Sequence, residues 1–250
     1  MPWLDPEAVA GAGRLVGVGV GPGDPELLTL KAVRALASAD VVAHFAKAGN
    51  VSHARRTAER FLRPAAMELP LLYPVTTERP TSDPEYASAI EAFFDAAAHA
   101  IAGHLAAGRV VAVLSEGDPL FFGSYMHVHV RLTGRFPTEV IPGVTGMSGC
   151  WSAAGLPIAC GNEVLSVLPA TLELAELTRR FQQNEPAVVM KLGRHLPKVR
   201  RALLETDRLA GAVYVERGTL QNERLMPLEQ KTDDASPYFA IVLVAGRRRR

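Results

Sequence analysis

The stretch Gly17–Thr29, GVGVGPGDPELLT, limits what this chain can fold into more than any other. It overlaps a short apolar run, Leu15–Val18, and leads into a helical pattern, so it reads as strand, turn and helix start. Glycines at 17, 19, 21 and 23 leave the main chain with little side-chain cover, and a ligand can approach its N–H and C=O groups closely. The dinucleotide pattern G-x-G-x-x-G fails on spacing: Pro22 or Asp24 stands where the third glycine belongs. Asp24 followed by Pro25 also reads as a helix cap with proline at the first position, so a pyrophosphate would meet a like charge there. Asp40 lies roughly where a ribose-binding acid would fall, about 20 residues on, but carries little by itself. The phosphate-loop pattern ending in Gly-Lys-Ser/Thr is absent.

At 250 residues the chain exceeds a typical single domain, and 48% apolar residues suffice for two cores. The formal net charge of +1 provides no global field to recruit nucleic acid or membrane. Cys150 and Cys160 suggest neither a disulfide framework nor a zinc pair, and read as free thiols. The N-terminus lacks the pattern of a signal peptide, and no apolar run approaches the roughly 18 residues of a membrane span. The expectation is a soluble cytoplasmic protein without nucleic-acid or membrane partners.

In chain order, Leu15–Val18, Val41–Ala43 and Met67–Leu72 read as strands, with helices over Glu26–Ala39 and from Ser52 through Leu62. Pro74–Pro84 reads as a loop, and Asp83-Pro84 as the cap of a long helix carrying Tyr86, Ile90, Phe93, Phe94, Ala97 and Ile101, stopped at Gly108. Val110–Leu114 fits a strand of a parallel sheet buried on both faces. Such alternation indicates an α/β layer, in which ligands bind at the carboxyl ends of strands. The loop after that strand, Ser115-Glu116-Gly117-Asp118-Pro119, repeats the form of the first: glycine, then Asp-Pro at a helix start. Taken singly, each loop reads equally well as an ordinary N-cap.

Val140–Ser148, VIPGVTGMS, ends a strand and starts a small-residue helix at Thr145 or Ser148. A domain boundary at Pro142 gives an N-terminal α/β domain, residues 1–142, and a C-terminal α/β domain, residues 143–250. The second half reads as strands Val164–Leu168, Ala187–Met190, Gly211–Glu216 and Phe239–Val244, with helices Thr171–Gln183 and His195–Glu205. Arg247–Arg250 reads as a solvated basic tail.

GVGVGPGDPELLT, LSEGDPLFFGS (Leu114–Ser124) and VIPGVTGMSGC (Val140–Cys150) occur in that order. VLPATLE, VVMKLGR, VERGTL and PYFAIVLV follow. Together they resemble the tetrapyrrole methylase family, which moves a methyl group from S-adenosylmethionine onto corrin precursors. With LPLLYPVTTE (Leu69–Glu78), they are similar to its branch acting on precorrin-2 at C20 in cobalamin (vitamin B12) synthesis. The resemblance implies two α/β domains with a cofactor cleft between them, S-adenosylmethionine as methyl donor, no metal, and a homodimer. It implies cofactor contacts from Pro22, Glu116, Gly117, Asp118, Phe121, Thr145, Gly146, Leu192 and Gly218, and from Tyr238, Phe239 and Ala240. The commoner family form of the second loop is Gly-Gly-Asp-Pro; here Glu116 replaces the first glycine. Alternatives are the cobalt-loaded substrate of the anaerobic route and a non-catalytic module that binds cofactor or tetrapyrrole.

These residue types suit a ligand without phosphate. Main-chain donors and one acid fit its amino-acid end, and Phe121 and Leu192 could form an apolar slot for its adenine. The reduced macrocycle supplies its own carbon nucleophile, so no activated Ser or Cys is required. No catalytic residue is named; Glu116, Asp118 and Tyr125 are candidate bases, and no protein base at all is the alternative. His127 and His129, two apart on a helix, do not face each other and make a poor metal pair. Arg55, Arg56 and Arg60 read as a solvated face, or, with Arg194 and Arg217 as rivals, as partners for the carboxylates of the macrocycle.

Overall fold

The computed structural model describes residues 13–74 and 84–246. The cap residue Asp83, most of the loop Pro74–Pro84 and the tail Arg247–Arg250 lie outside them. Two compact units divide the chain, Met1–Thr145 and Gly146–Arg250.

The first unit runs β1 (Leu15–Gly19), α1 (Leu30–Ser38), β2 (Val41–Lys47), α2 (His53–Ala58), β3 (Met67–Tyr73), α3 (Pro84–Ala106), β4 (Val111–Ser115), α4 (Tyr125–Leu132) and β5 (Thr138–Ile141). Its sheet is wholly parallel, in the order β3-β2-β4-β1-β5. β1 and β4 are buried along their whole length, as expected of strands covered on both faces. Side chains alternate between those faces. Val16, Val18, Val42, Ala112 and Leu114 pack with α1 and α2, while Leu15, Val41, Ala43, Val111 and Val113 pack with α3 and α4. A fully buried leucine such as Leu36 of α1 contributes about 1.5–3 kcal/mol.

This topology sets the working edge. From β1 the chain leaves toward β2 through α1 on one face; from the neighbouring β4 it leaves toward β5 through α4 on the other. Adjacent strands whose connections part in this way mark the point where ligands of open α/β sheets bind.

The expected helix over Glu26–Ala39 is shorter and starts later. Asp24 caps only a 3-10 turn, Pro25–Leu27, its Oδ1 accepting from Glu26 N at 2.8 Å. Leu28 is extended, which packs its side chain against the core, and Thr29 caps α1 by accepting from Ala32 N at 3.1 Å. The anion-friendly end of α1 is therefore held by a hydroxyl and not by Asp24. At the end of α3, Gly108 takes the left-handed conformation (φ 75°), a helix stop as the sequence suggests.

The second unit comprises α5 (Gly146–Ala153), β6 (Ser166–Pro169), α6 (Leu174–Gln182), β7 (Ala187–Met190), α7 (Leu196–Glu205), β8 (Ala212–Glu216), β9 (Arg224–Pro227) and β10 (Ala240–Val244). Its sheet is mixed, in the order β6-β7-β10-β8-β9; β6 and β7 are parallel and the remaining pairs antiparallel. α6 and α7 pack on one face, while Met147, Cys150 and Trp151 of α5 pack on the other. β9 escapes sequence analysis because it is a largely exposed edge strand with no apolar alternation. No helix among the described residues is long and apolar enough to cross a membrane.

Candidate active site

At the working edge of the first unit the two Gly-Asp-Pro turns pair with each other. Gly21 N donates to Gly117 O (3.3 Å), Gly117 N donates to Gly21 O (2.8 Å), and Val20 N donates to Ser115 O (3.0 Å). Both paired glycines hold positive φ, 80° and 65°, which other residues adopt only under strain. A third turn, after β5, closes on the same point. A Cβ on Gly143 would stand 2.1 Å from Gly117 O, and one on Gly19 would stand 2.5 Å from Gly143 N. The main chains of three loops touch because none carries a side chain there.

Asp118 staples this knot. Its Oδ1 accepts from Leu120 N (2.9 Å) and its Oδ2 from Gly143 N (3.2 Å), tying the β4 loop to the β5 loop. Glu116 has a different partner: its Oε1 accepts from Ala54 N (3.1 Å) in the first turn of α2, an otherwise orphaned helix donor. The carboxylate in place of the family's glycine thus binds α2 to the turn. Surrounding protein pushes its pKa up and the Ala54 N–H opposes that, yet the side chain remains open to solvent. Pro22 and Phe121 are half-buried beside these turns, and Phe121 N donates to Asp118 O (3.3 Å). Thr145 follows two residues after Gly143, also half-buried.

Tyr125 is excluded as a base. Its ring is wholly buried against Gly17, where an added Cβ would meet it at 2.4 Å, and burial pushes its phenol pKa up. His127 stacks on Phe94 with ring centroids 4.0 Å apart, and the Tyr125 hydroxyl lies 3.2 Å from His129 Nδ1. Among the described residues no group of three or more His, Cys, Asp or Glu could hold a metal ion. Arg55 is engaged by Glu59 (2.6 Å) and Glu68 (2.9 Å), and the Arg60 guanidinium lies over the Phe61 ring.

In the second unit Leu192, Gly218 and Tyr238–Ala240 share one sheet edge. β10 runs antiparallel to β7 and β8, so its start at Ala240 meets their carboxyl ends; Ala240 pairs with Glu216, and Arg217 N donates to Phe239 O (2.7 Å). Tyr238 is 80% exposed. Gly146 opens α5. Leu192 does not line an open slot: the whole residue is 1% exposed, within the core under α6 and α7. The strong apolar signal around Leu192 is that of a core.

Six non-glycine residues among those described hold positive φ. Asn184 and Asp207 follow the C-caps of α6 and α7, where a left-handed residue commonly ends a helix. The other four, Phe122, Lys191, Arg217 and Thr219, lie in the loops after β4, β7 and β8. Such conformations cost about 1–3 kcal/mol each and cluster at functional sites.

Gly218, between two of these, seats the strand end on α5: an added Cβ would stand 2.6 Å from Cys150 Sγ. Burial pushes the Cys150 thiol up to about 12, whereas Cys160 is exposed. A disulfide reagent at about pH 8 is expected to titrate one thiol per native chain and the second only after unfolding, with Cys160→Ser abolishing the fast reaction. Two fast thiols would mean that α5 is not seated on Gly218.

Residues 14–231 match the family model of the tetrapyrrole (corrin/porphyrin) methylases. A precorrin-2 C(20)-methyltransferase of a Sinorhizobium species is 62% identical over 236 residues, covering 94% of this chain and 96% of that protein. The cobalamin biosynthesis protein CobIJ of Mycobacterium bovis is 49% identical over 238 residues, covering 95% of this chain; this chain spans only 47% of its length. Among solved structures, a uroporphyrin-III C-methyltransferase of Thermus thermophilus, complexed with S-adenyl homocysteine, superposes with a TM-score of 0.63 at 26% identity, covering 93% of this chain and 92% of that one. The motifs that build the knotted turns and the strand ends after β7 and β8 lie within residues 14–231, and the chain belongs to the tetrapyrrole methylase family.

Proposed function

We propose that this chain transfers a methyl group from S-adenosylmethionine to C20 of precorrin-2, giving precorrin-3A and S-adenosylhomocysteine in cobalamin synthesis. The observation that carries the proposal is the 62% identity to a precorrin-2 C(20)-methyltransferase across 94% of the chain. The donor set suits a phosphate-free ligand: Glu116 sets an acid beside the paired turns, next to Gly117, where a phosphate would meet a like charge. Proposed contacts for the nucleoside are Pro22, Glu116 to Asp118, Phe121 and Thr145 in the first unit. Those in the second are Gly146, Gly218 and Tyr238 to Ala240.

When bound, the sulfonium supplies the transferable methyl group. The chain's own residues bind, orient and exclude water, and alignment of this kind is worth roughly 7–11 kcal/mol. The paired turns suit that task because main-chain hydrogen bonds and the Asp118 staple fix them before any ligand arrives. The proposal gives no metal a part, and it makes the protein a cytoplasmic homodimer, testable by light scattering of the purified chain.

Incubation with S-adenosylmethionine and precorrin-2, with the new methyl located by NMR, is expected to place it on C20. Methylation of another carbon, or ligand retention without methyl transfer, would overturn the proposal. A parallel incubation with cobalt-charged precorrin-2 is expected to run more slowly; the reverse order would assign the chain to the anaerobic route.

A further inference from the structure

We propose that Arg217 receives a carboxylate of a bound ligand, and that Glu216 and Tyr214 beneath it are the residues that hold its guanidinium in place. The inference rests on the methyltransferase reading and adds a receptor for the acidic side chains of the macrocycle.

Three observations meet at Arg217. Its backbone is left-handed, φ 53°, with no helix cap to account for it, and is pinned there because its N–H donates to Phe239 O at 2.7 Å. Its guanidinium pairs through Nη1 with Glu216 Oε1. Glu216 is only 5% exposed, and its other oxygen, Oε2, accepts from the buried Tyr214 hydroxyl at 3.1 Å. Tyr214 in turn packs its ring against the Lys231 ammonium, 4.9 Å from the ring centroid, and that ammonium pairs with Asp233 at 2.7 Å.

A buried carboxylate is costly unless charge and hydrogen bonds compensate it. Here both oxygens of Glu216 are used, and the compensating cation is itself not buried: the Arg217 side chain is 34% exposed at the sheet edge that carries Gly218 and Phe239. One edge of the guanidinium faces the buried acid, and the rest of its planar fork is available for a second carboxylate, the geometry in which arginine binds such groups bidentately. Arg194, by contrast, is exposed on a 3-10 turn, and no buried acid among the described residues pairs with it. The strained backbone and the buried acid together point the cation outward, where an ordinary surface arginine would be left to rotate.

Carboxylates occur on the tetrapyrrole and on the amino-acid end of the methyl donor. Arg217→Ala and Arg217→Gln are compared with wild type for the KM of precorrin-2, for kcat, and for the Kd of S-adenosylhomocysteine by calorimetry. The expected result is a rise of about 10- to 100-fold in the tetrapyrrole KM, a smaller change in kcat and an unchanged Kd, with Arg217→Lys recovering part of the loss. A matching rise in the nucleoside Kd with KM constant would identify the donor's carboxylate as the partner. Glu216→Gln and Tyr214→Phe are expected to raise the same constant by several fold while leaving kcat in place, which loss of folded protein alone would not do. The proposal is overturned if wild type methylates precorrin-2 and neither constant moves in Arg217→Gln. It is overturned too if every Arg217 variant, Lys included, is unfolded, since the residue would then be structural. Failure of wild type to methylate at all would instead remove the functional reading.

Discussion

Gly143→Ala is expected to lose a substantial share of the first unit's stability and all measurable binding of S-adenosylhomocysteine. The new methyl would lie 2.1 Å from Gly117 O and 2.9 Å from the Gly19 backbone. Those neighbours are main chain, locked by the Gly21–Gly117 pairing and by β1, so neither can swing away as a flexible side chain would. Overpacking of a core typically costs about 1–3 kcal/mol, and backbone-against-backbone contact belongs at the upper end or beyond. Against a domain stability of about 5–15 kcal/mol that is a large fraction. Gly103→Ala is the control. Gly103 lies inside α3 with nothing within 4 Å of an added Cβ, so the same change should stabilise by about 1 kcal/mol. Urea titration of both variants checks the contrast; equal stability would show that the three loops are not in contact.

Asp118→Ala carries the second large effect. The substitution removes the acceptor of Gly143 N and of Leu120 N together. Leu120 is exposed and its N–H can turn to water, whereas the half-buried Gly143 N–H cannot do so freely, so a cost of about 1–3 kcal/mol is expected, mostly from the second bond. The larger consequence is for binding. With the staple gone the β4 and β5 loops are no longer fixed relative to each other, and the affinity for S-adenosylhomocysteine is expected to fall at least about tenfold, equivalent to about 1.4 kcal/mol. Asp118→Asn, which keeps one acceptor oxygen, should fall between. Calorimetry showing wild-type affinity in the Ala variant would remove the second turn from the proposed site.

Much of this arrangement is legible in the residues because glycine, proline and aspartate act locally. Two Gly-Asp-Pro loops after buried strands announce two turns at one sheet edge, and the structure pairs them at Gly21 and Gly117. What the sequence does not reveal are partners set by distance in the chain. Glu116 finds Ala54, 62 residues away. Thr29 displaces Asp24 as the cap of α1 because Leu28 must reach the core. Leu192 lies close to the strand end that carries the motif, but helical packing against α6 and α7 turns its side chain inward. Buried Arg208 joins Phe181 O, Glu185 O and Ala245 O across the second unit, an arginine that no periodicity would place inside. The pairing of Glu216 with Arg217 is adjacent in sequence, yet its meaning depends on Tyr214 and on burial, neither of which the letters display.

The strand order of the first unit also bears on how the molecule is made. β1 hydrogen-bonds to β4 and β5, whereas β2 pairs with β3 and with β4. β1 must therefore wait for nearly a hundred further residues before it acquires a partner in the sheet, a long-range closure of the kind that slows folding. Until Val111–Ser115 has been synthesised, the leading glycine turn is a hinge without a counterpart. Arrival of the central strand should therefore close the core of this sheet in one step, while the capacity to bind a nucleoside waits for the turn after β5 and for the strand ends of the second unit, the last of which opens at Ala240.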